Sequence, residues 1–456
     1  MSTTPSVNLG SLLSALGDSS GGIDVSSAVS QILQNEALPQ QQLVQQQQTL
    51  QGQTSAINSL ESLISTLETS LQGLGDAAGS AASMSATSSN DAIVSAAAAP
   101  GTATGNHVVV VKNVATTGAW YSDPVATATT PLQAGTFNIT VGTGAAVPIT
   151  VGSGVNTLSD LATAINQKNL GVTANVITDS TGSRLAIVSN SSGAASDFTI
   201  TNDTSIAFTQ AVQGKDASLT VDGIPITSAS NSVTSAVNGL TLNLVSAAPS
   251  TEVNVSVAPD SGQISQAVSS FVSAYNAVIQ NVNSQFAFDQ TSNTAGTLAG
   301  DSTVRMLQES LLTSGSYSAT SGSITTLGQL GITMNNDGTL TLNNATLDSA
   351  IQSNFSGVQA FMQGTASNGF AASLNNQLTS FTDPVNGAFT VELQSISSEN
   401  SDLQDQVNTW QDFLNSEQTR LTNMYNQIDA TLQQLPVLEK QIAAELGQNT
   451  NSGNNG

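Results

Sequence analysis

The sequence predicts an α+β fold: a long antiparallel helical coiled-coil stalk formed by the N- and C-terminal segments, with an inserted, mainly antiparallel-β head of two lobes. Heptad-patterned segments lie near the two ends of the 456-residue chain. A stripe of apolar side chains on one helix face needs another helix against it. Between these segments the apolar period changes to two, which is typical of half-buried strands. The simplest arrangement pairs the two ends and leaves the middle as the head.

The heptad pattern also predicts which residues form the contact between the paired helices. Apolar residues recur in alternating steps of three and four over 43–74 and 393–442, with polar Asn400, Glu417 and Thr431 in between. Buried polar positions of this kind lower stability but help to fix the register of a coiled coil. We call the following predicted contact residues the seam: Leu43, Leu50, Ile57, Leu60, Ile64, Leu67, Leu71, Leu403, Val407, Trp410, Leu414, Leu421, Met424, Ile428 and Leu435.

The elements follow in order along the chain. A weak helical pattern begins at Ile23, with Asp24 or Ser26 as the N-cap, and stops at Pro39. The first heptad helix then runs from about 40 to 74, and the Ala/Ser-rich stretch 77–105 is expected to be a linker. Asp222-Gly223 is a tight-hairpin signal. Helices are predicted at 264–285, 304–312 and from 393 onward, with a hairpin between 332 and 342. Strands are predicted at 107–111, 137–141, 172–177, 185–188, 198–200, 219–221, 240–245 and 253–257.

Composition excludes several classes of function. Seven Lys and Arg against 31 Asp and Glu give a net charge of −24, and no basic residue precedes Lys112. Binding to nucleic acid or to anionic membranes needs clustered basic side chains, so neither is expected. There is no cysteine for disulfides or thiolate metal sites. No secretory signal and no transmembrane run is expected from the sequence. Cytosolic residence and export without a cleaved signal both remain open on these grounds.

No catalytic, cofactor-binding or metal site is predicted. His107 is the only histidine, and we expect it to be structural. The 142–144 stretch (GTG) lacks the following helix and third glycine of a dinucleotide loop, so a turn is expected. Residues 333–344 lack the first carboxylate and the closing Glu of a calcium loop, so a hairpin turn is expected there.

Several motifs resemble those of flagellar proteins. TLSDLATAIN (157–166), GVTANV (171–176) and GSRLAIVS (182–189) resemble the flagellin/hook IN motif. Further stretches are similar to filament-cap proteins, and they are VDGI (221–224), NSVT (231–234), NGLTL (238–242), FVSAYN (271–276), LAGDSTVR (298–305), LGIT (330–333), DGTL (337–340) and NGAF (386–389). Together they cover about residues 22–446 and resemble the flagellar hook-associated protein 2 family. The chain departs from that pattern in its Gln-rich stretch 40–48 and in its few basic residues.

The resemblance implies a non-enzymatic assembly factor at the filament tip. It implies a homo-oligomeric ring, contacts with flagellin, the filament tip and hook–filament junction proteins, an export chaperone, and an extracellular location. We expect terminal regions 1–39 and 436–456 that order on assembly, a helical stalk from 40–76 and 260–435, lobe 1 from 77–115 and 211–259, and an inserted lobe 2 from 116–210. Pro39 and Pro436 suggest joints at the ends of the stalk. Another axial protein, such as a hook–filament junction protein, or a surface adhesin, remains an alternative.

Overall fold

The computed structural model describes residues 24–289, 294–364 and 369–451. The predicted α+β class is confirmed. The chain divides into two compact units. We call them the stalk unit (1–67, 275–312 and 376–456) and the head unit (68–274 and 313–375).

Helices build the stalk unit, and their apolar stripes explain where they form. The helices of the chain are α1 (Val25–Glu36), α2 (Leu38–Gly75), α3 (Leu158–Gln167), α4 (Ser261–Phe286), α5 (Ser302–Gly315), α6 (Asn344–Gln363), α7 (Phe370–Thr382) and α8 (Ala388–Asn451). Asp24 caps α1, because its Oδ1 accepts a hydrogen bond of 3.1 Å from the backbone N of Ser27. Helices α2, α4, α5 and α7 each continue from one unit into the other.

Antiparallel strands build the head unit. They are β1 (Met84–Ser88), β2 (Val94–Ala98), β3 (Gly105–Asn113), β4 (Ala119–Ser122), β5 (Gly135–Val141), β6 (Val147–Val151), β7 (Val172–Asp179), β8 (Gly182–Ser189), β9 (Phe198–Thr201), β10 (Phe208–Val212), β11 (Ala217–Val221), β12 (Ile224–Ser228), β13 (Ser232–Val237), β14 (Leu240–Leu244), β15 (Val253–Pro259), β18 (Ile332–Met334) and β19 (Leu340–Leu342). The two-residue strands β16 (Phe288–Asp289) and β17 (Thr294–Ala295) pair in the stalk unit.

The β head contains two separate hydrophobic cores. The first lies between the sheet β1-β15-β3-β11-β12 and the sheet β13-β14-β2, where Val94, Val109, Leu219 and Leu242 are fully buried. The second lies between the sheet β10-β4-β8-β7, the sheet β6-β5-β9 and helix α3. Its residues fall within 137–200, inside the segment that we assigned to lobe 2 from the sequence. The exact lobe boundaries stay a prediction.

Three local expectations differ from the structure. Strands β1 and β2 lie in the expected linker, because their small residues have low strand propensity but pair with β15 and β14. Helix α1 lies inside the expected terminal region 1–39, where Ala28 and Val29 are buried against α8. Helix α8 continues through Pro436 instead of bending at a joint. Side chains are exposed on this part of α8, so the carbonyl that loses its helical partner can be hydrated.

The chain segment 313–375 groups with the head unit, whereas the sequence placed it in the stalk. Its aromatic side chains explain this grouping. Phe370 contacts Phe271, Tyr317 and Phe361 at ring-centroid distances of 5.5, 5.6 and 5.9 Å, and all four residues belong to the head unit. The other predicted turns are confirmed: 142–144 connects β5 to β6, and the 333–344 stretch contains the β18–β19 hairpin.

Candidate functional site: the coiled-coil stalk

Helices α2 and α8 pair antiparallel within the stalk unit through glutamine side chains. Gln40 Nε2 donates to Gln411 Oε1 at 3.0 Å and to the carbonyl of Val407 at 3.4 Å. Seven residues along, Gln47 Nε2 donates to Gln404 Oε1 at 3.1 Å and to the carbonyl of Asn400 at 3.4 Å. The two sets repeat the same geometry one heptad apart, and we call them the glutamine ladder. This ladder confirms the antiparallel pairing of the N- and C-terminal segments.

The seam residues separate into three groups by burial. The buried members are Leu50, Ile57, Leu60, Ile64, Leu67, Leu71, Leu403, Leu414 and Leu421. Leu43, Val407 and Trp410 are half-buried. Met424, Ile428 and Leu435 are 38%, 40% and 52% exposed, so the structure of the single chain does not bury the far end of the predicted seam. The role of the seam in assembly stays a prediction.

The exposed far end of the seam is longer than these three residues. Leu438 and Ile442, which are 54% and 50% exposed, continue the same spacing on α8, and Leu432, which is 43% exposed, lies beside the seam position Thr431. Helix α1 contacts α8, and Leu421, which is 4% exposed, is the last buried seam residue of α8. Large exposed apolar patches mark interaction sites, so this stretch of α8 is a candidate contact surface. We call residues 424–442 the exposed seam.

Polar residues inside the seam have different surroundings. The Oδ1 atom of Asn400 is buried without a hydrogen-bond partner in the described part of the chain. Glu417 accepts a 2.8 Å hydrogen bond from Arg420 Nε, and this bond lowers the pKa of the Glu417 carboxyl. The hydrogen bond and the negative charge of Glu417 raise the pKa of Arg420, and the negative charge of Glu36 on α1 acts in the same direction. Arg420 therefore interacts with acidic groups on both α8 and α1.

A groove opens between α2 and α8 where the glutamine ladder ends. Its volume is about 590 Å³, and Leu50, Thr54, Leu393, Ile396 and Ser397 are among the residues that line it. One heptad beyond Gln47, the chain has Thr54, and one heptad before Gln404 it has Ser397. These short side chains cannot continue the ladder, which explains the open space.

An acidic pair lies near the start of α8. Burial raises the pKa of Glu392 to about 7, and Asp301 raises it through a hydrogen bond and its negative charge. Asp301 is held in place as the cap of α5, because its Oδ1 accepts from the backbone N atoms of Thr303 and Val304 at 2.7 and 3.0 Å. Glu392 Oε2 is buried and has no hydrogen-bond partner among the described residues. The Glu392 carboxyl therefore keeps its proton to a higher pH than an ordinary glutamate does.

His107 takes part in a structural contact rather than in a catalytic or metal site. His107 Nδ1 lies 2.8 Å from Asp222 Oδ2, and Asp222 also accepts from the backbone N of Val108 at 2.8 Å. This contact fastens the β11–β12 turn, where Asp222 has φ +51°. The described ranges contain no group of three or more His, Asp or Glu side chains that could hold a metal ion. In the same ranges, no helix combines the length and the apolarity needed to cross a bilayer.

Two models of one protein family match the N- and C-terminal parts of the chain, which supply the paired helices. The model described as the flagellar hook-associated protein 2 N-terminus matches residues 21–118, and the corresponding C-terminus model matches 214–436. The flagellin hook IN motif matches the segment between them, at 136–191. The chain belongs to the flagellar hook-associated protein 2 family.

Individual members of the hook-associated protein 2 family align along almost the whole chain. The B-type flagellar hook-associated protein 2 of Pseudomonas aeruginosa strain PAO1 is 28% identical over 93% of this chain and 96% of its own length. The flagellar hook-associated protein 2 of Escherichia coli K12 is 25% identical over 96% of this chain and 99% of its own. The crystal structure of the D1-D2-D3 domains of the E. coli flagellar cap protein superposes with a TM-score of 0.62 at 26% identity, covering 75% of this chain and 99% of that one.

The glutamine ladder was not predicted from the sequence. The Gln-rich stretch was noted only as a departure from the family pattern. The signal was nevertheless present: Gln40 and Gln47 are seven residues apart, as are Gln404 and Gln411. Equal spacing in two helices that are expected to pair predicts repeated contacts between them.

Proposed function

We propose that this protein forms the cap at the distal tip of the bacterial flagellar filament, where it retains exported flagellin and promotes its folding and insertion. The proposal rests mainly on family membership across both ends of the chain. A homo-oligomeric ring provides a chamber whose walls are the β heads. Exported subunits fold in this chamber before they join the filament. The protein acts without catalysis in this scheme, and it is exported to the flagellum without a cleaved signal.

The exposed seam supplies a surface for docking on the filament end or on neighbouring subunits. Its apolar side chains are 38–54% exposed at Met424, Ile428, Leu432, Leu438 and Ile442. A cap must move each time a subunit inserts, so its contacts have to be replaceable. A narrow stripe on one helix buries much less area than the 2,000 Å² or more typical of obligate interfaces. Hook–filament junction proteins and an export chaperone are further partners in this scheme.

The first experiment deletes the gene and examines the cells by electron microscopy. Cells without the protein are expected to retain hooks, to lack filaments, and to release unpolymerised flagellin into the medium. Adding purified protein should restore filament growth. Normal filaments in the deletion strain would contradict the proposal.

A matched pair of variants tests the exposed seam itself. Ile428→Asp places a charge on the stripe, whereas Asn426→Asp adds the same charge to an exposed side chain off the stripe. Ile428 is 40% exposed, so neither change should unfold the isolated protein. Ile428→Asp is expected to abolish restoration of filaments, and Asn426→Asp is expected to permit it. Equal activity of both variants would show that the stripe does not dock.

Labelling separates the proposal from its alternatives. Immunogold electron microscopy should place the protein at the distal end of the filament. Label at the boundary between hook and filament would favour a junction protein. A surface adhesin would instead leave filament growth unchanged after deletion while reducing attachment to surfaces.

A further inference from the structure

Helix α3 of lobe 2 ends with a side chain that occupies the edge of a β-sheet. Strand β7 is the outermost strand of the sheet β10-β4-β8-β7. The Nδ2 atom of Asn166 donates to the carbonyl of Ala174 in β7 at 2.9 Å, and Asn166 Oδ1 accepts from the backbone N of Ala174 at 2.8 Å. The side-chain amide thereby takes both hydrogen-bonding positions that a neighbouring strand would use at Ala174.

The residue before Asn166 holds the helix in position for this contact. Ile165 is fully buried in the core of lobe 2, together with Leu158 and Leu161 on the same helix. Thr157 caps the start of the helix and accepts from the backbone N of Asp160 at 3.2 Å. Consecutive helical residues point about 100° apart. Ile165 therefore faces the core while Asn166 reaches the strand edge.

The register of β7 shows which of its backbone groups face outward. Pairing with β8 runs without a bulge from Val172 opposite Ser189 to Asp179 opposite Gly182. Outward and inward groups alternate along an antiparallel strand. Because the groups of Ala174 point outward to Asn166, those of Val172, Val176 and Thr178 also point outward. Beyond Ala174, outward-facing backbone groups therefore continue along β7 to the β7–β8 hairpin.

Two other edge strands of the head, β12 and β10, carry protective features that β7 lacks. Strand β12 contains Pro225, which cannot donate to a neighbouring strand. Strand β10 has a register shift between Gln210 and Val212, and Asp203 accepts from the backbone N of Phe208 at 3.1 Å. Strand β7 has no proline, no lysine and no bulge. Within lobe 2, which the structure describes throughout, Asn166 is the device that interrupts this edge.

We propose that Asn166 keeps strand β7 from pairing with β7 of a second copy of this chain. In an antiparallel pair centred on Asn175, Ala174 of each copy would exchange hydrogen bonds with Val176 of the other. Asn166 blocks this central pair. The inference does not depend on the proposed function, but any assembly that gathers several heads raises the local concentration of this edge.

The side chains and charges of β7 suit pairing with an identical strand. In the same register, Thr173 of one copy lies opposite Ile177 of the other, and β-branched pairs of this kind stabilise sheets. Ile177 is 57% exposed in the single chain. Asp179 is the only charged residue of the strand. The two Asp179 side chains would lie at opposite ends, roughly 27 Å apart at about 3.4 Å per residue, so they would not repel each other closely.

Cysteine cross-linking of the full chain tests this proposal, because the protein contains no cysteine of its own. Asn175 is exposed and would meet its own counterpart in a non-hydrogen-bonded pair, where Cβ atoms approach closely enough for a disulfide. Under mild oxidation, Asn166→Ala/Asn175→Cys should give tenfold or more covalent dimer than Asn175→Cys alone. Each of the two lost hydrogen bonds changes the equilibrium by roughly a factor of five.

A matched cysteine checks the register. Thr173 lies on the same exposed face, but its counterpart in the second copy would be about four residues away, roughly 14 Å. Asn166→Ala/Thr173→Cys should therefore remain at the background level of dimer. Equal cross-linking at positions 173 and 175, or equal cross-linking at 175 with and without Asn166, would overturn the proposal.

A second pair of variants separates edge pairing from a general loosening of lobe 2. Thr178→Pro removes an outward-facing donor of β7, whereas Thr178→Ala keeps that donor and loses the same hydroxyl contact with Ser183. Added to Asn166→Ala/Asn175→Cys, the proline should reduce the dimer to background and the alanine should leave it unchanged. Persistence of the dimer with the proline would show that the contact uses another surface.

Discussion

The glutamine ladder predicts a measurable energetic coupling between Gln47 and Gln404. Gln47 is 8% exposed, and its Nε2 atom is 3.1 Å from Gln404 Oε1 and 3.4 Å from the carbonyl of Asn400. A neutral hydrogen bond contributes about 1 kcal/mol, and a buried donor that loses its partner costs about 1–3 kcal/mol. Gln404→Ala should therefore cost about 1 kcal/mol, because Gln47 keeps its longer bond. Gln47→Ala should cost about 1–2 kcal/mol.

The double-mutant cycle gives the interaction itself. The coupling between Gln47→Ala and Gln404→Ala is expected at about 0.5–1.5 kcal/mol. The second rung is the matched control: Gln40 and Gln411 form the same hydrogen bond in a more exposed place. Water competes there for both amides, so we expect a coupling below about 0.5 kcal/mol.

The assay needs to report on the stalk alone, and the chain provides a suitable probe. Trp410 lies on α8 one residue before Gln411, and the only other tryptophan, Trp120, lies in lobe 2. A Trp120→Phe background makes Trp410 the single fluorescent reporter during urea unfolding. A coupling at Gln47–Gln404 no larger than that at Gln40–Gln411 would refute the argument that burial strengthens the inner rung.

Three further predictions concern the stalk unit. Ile64→Asp and Leu421→Asp, at positions 0% and 4% exposed, should each lower the free energy of unfolding by about 3 kcal/mol or more, because they bury an unpaired carboxyl. Ser62→Asp and Gln418→Asp, at exposed positions, should change it by less than about 0.5 kcal/mol. Equal losses in both classes would mean that the wrong helix face was assigned. The pKa of Glu392 is raised from 4.5 to about 7, so the folded state holds a proton that the unfolded chain releases, and stability should fall as pH rises from about 4.5 through 7. Glu392→Gln should remove this slope in urea midpoints, and the exposed Glu399→Gln should retain it; a slope that persists in Glu392→Gln would assign it to another group. Amide exchange should be slow over 43–67 and 403–421 and faster over 424–445. Uniform protection along α8 in a verified monomer would contradict the exposure of its far end in the structure.

Much of this architecture could be predicted from the sequence, because long periodic patterns leave few alternatives. The buried members of the seam, such as Leu60 and Ile64, follow directly from the heptad. The strands with alternating Val and Ile residues could likewise be predicted from the sequence. By contrast, β1 and β2 consist largely of Ala, Ser and Thr, and only tertiary pairing makes them strands.

The limits of the seam could not be predicted for a related physical reason. The pattern continues past Leu421, but burial requires a partner helix, and the seam residues of α8 beyond Leu421 are exposed in the described part of the chain. The polar contacts were also hidden. The ladder glutamines lie beside the apolar stripe, where a polar side chain usually faces water, so their pairing follows only when the opposite helix and its register are known.

The spacing of the glutamines determines which displacement of the two helices the ladder resists. Helix α8 has a third glutamine, Gln418, one heptad beyond Gln411. If α2 slid by one heptad, roughly 10.5 Å at 1.5 Å per residue, Gln47 would face Gln411 and Gln40 would face Gln418. A slide of three residues would place Leu414 opposite Gln40 and Val407 opposite Gln47, and neither side chain can accept a hydrogen bond from an amide. The amides thus set the rotational phase of each helix, while its axial position depends on the shape of the leucine and isoleucine side chains between them.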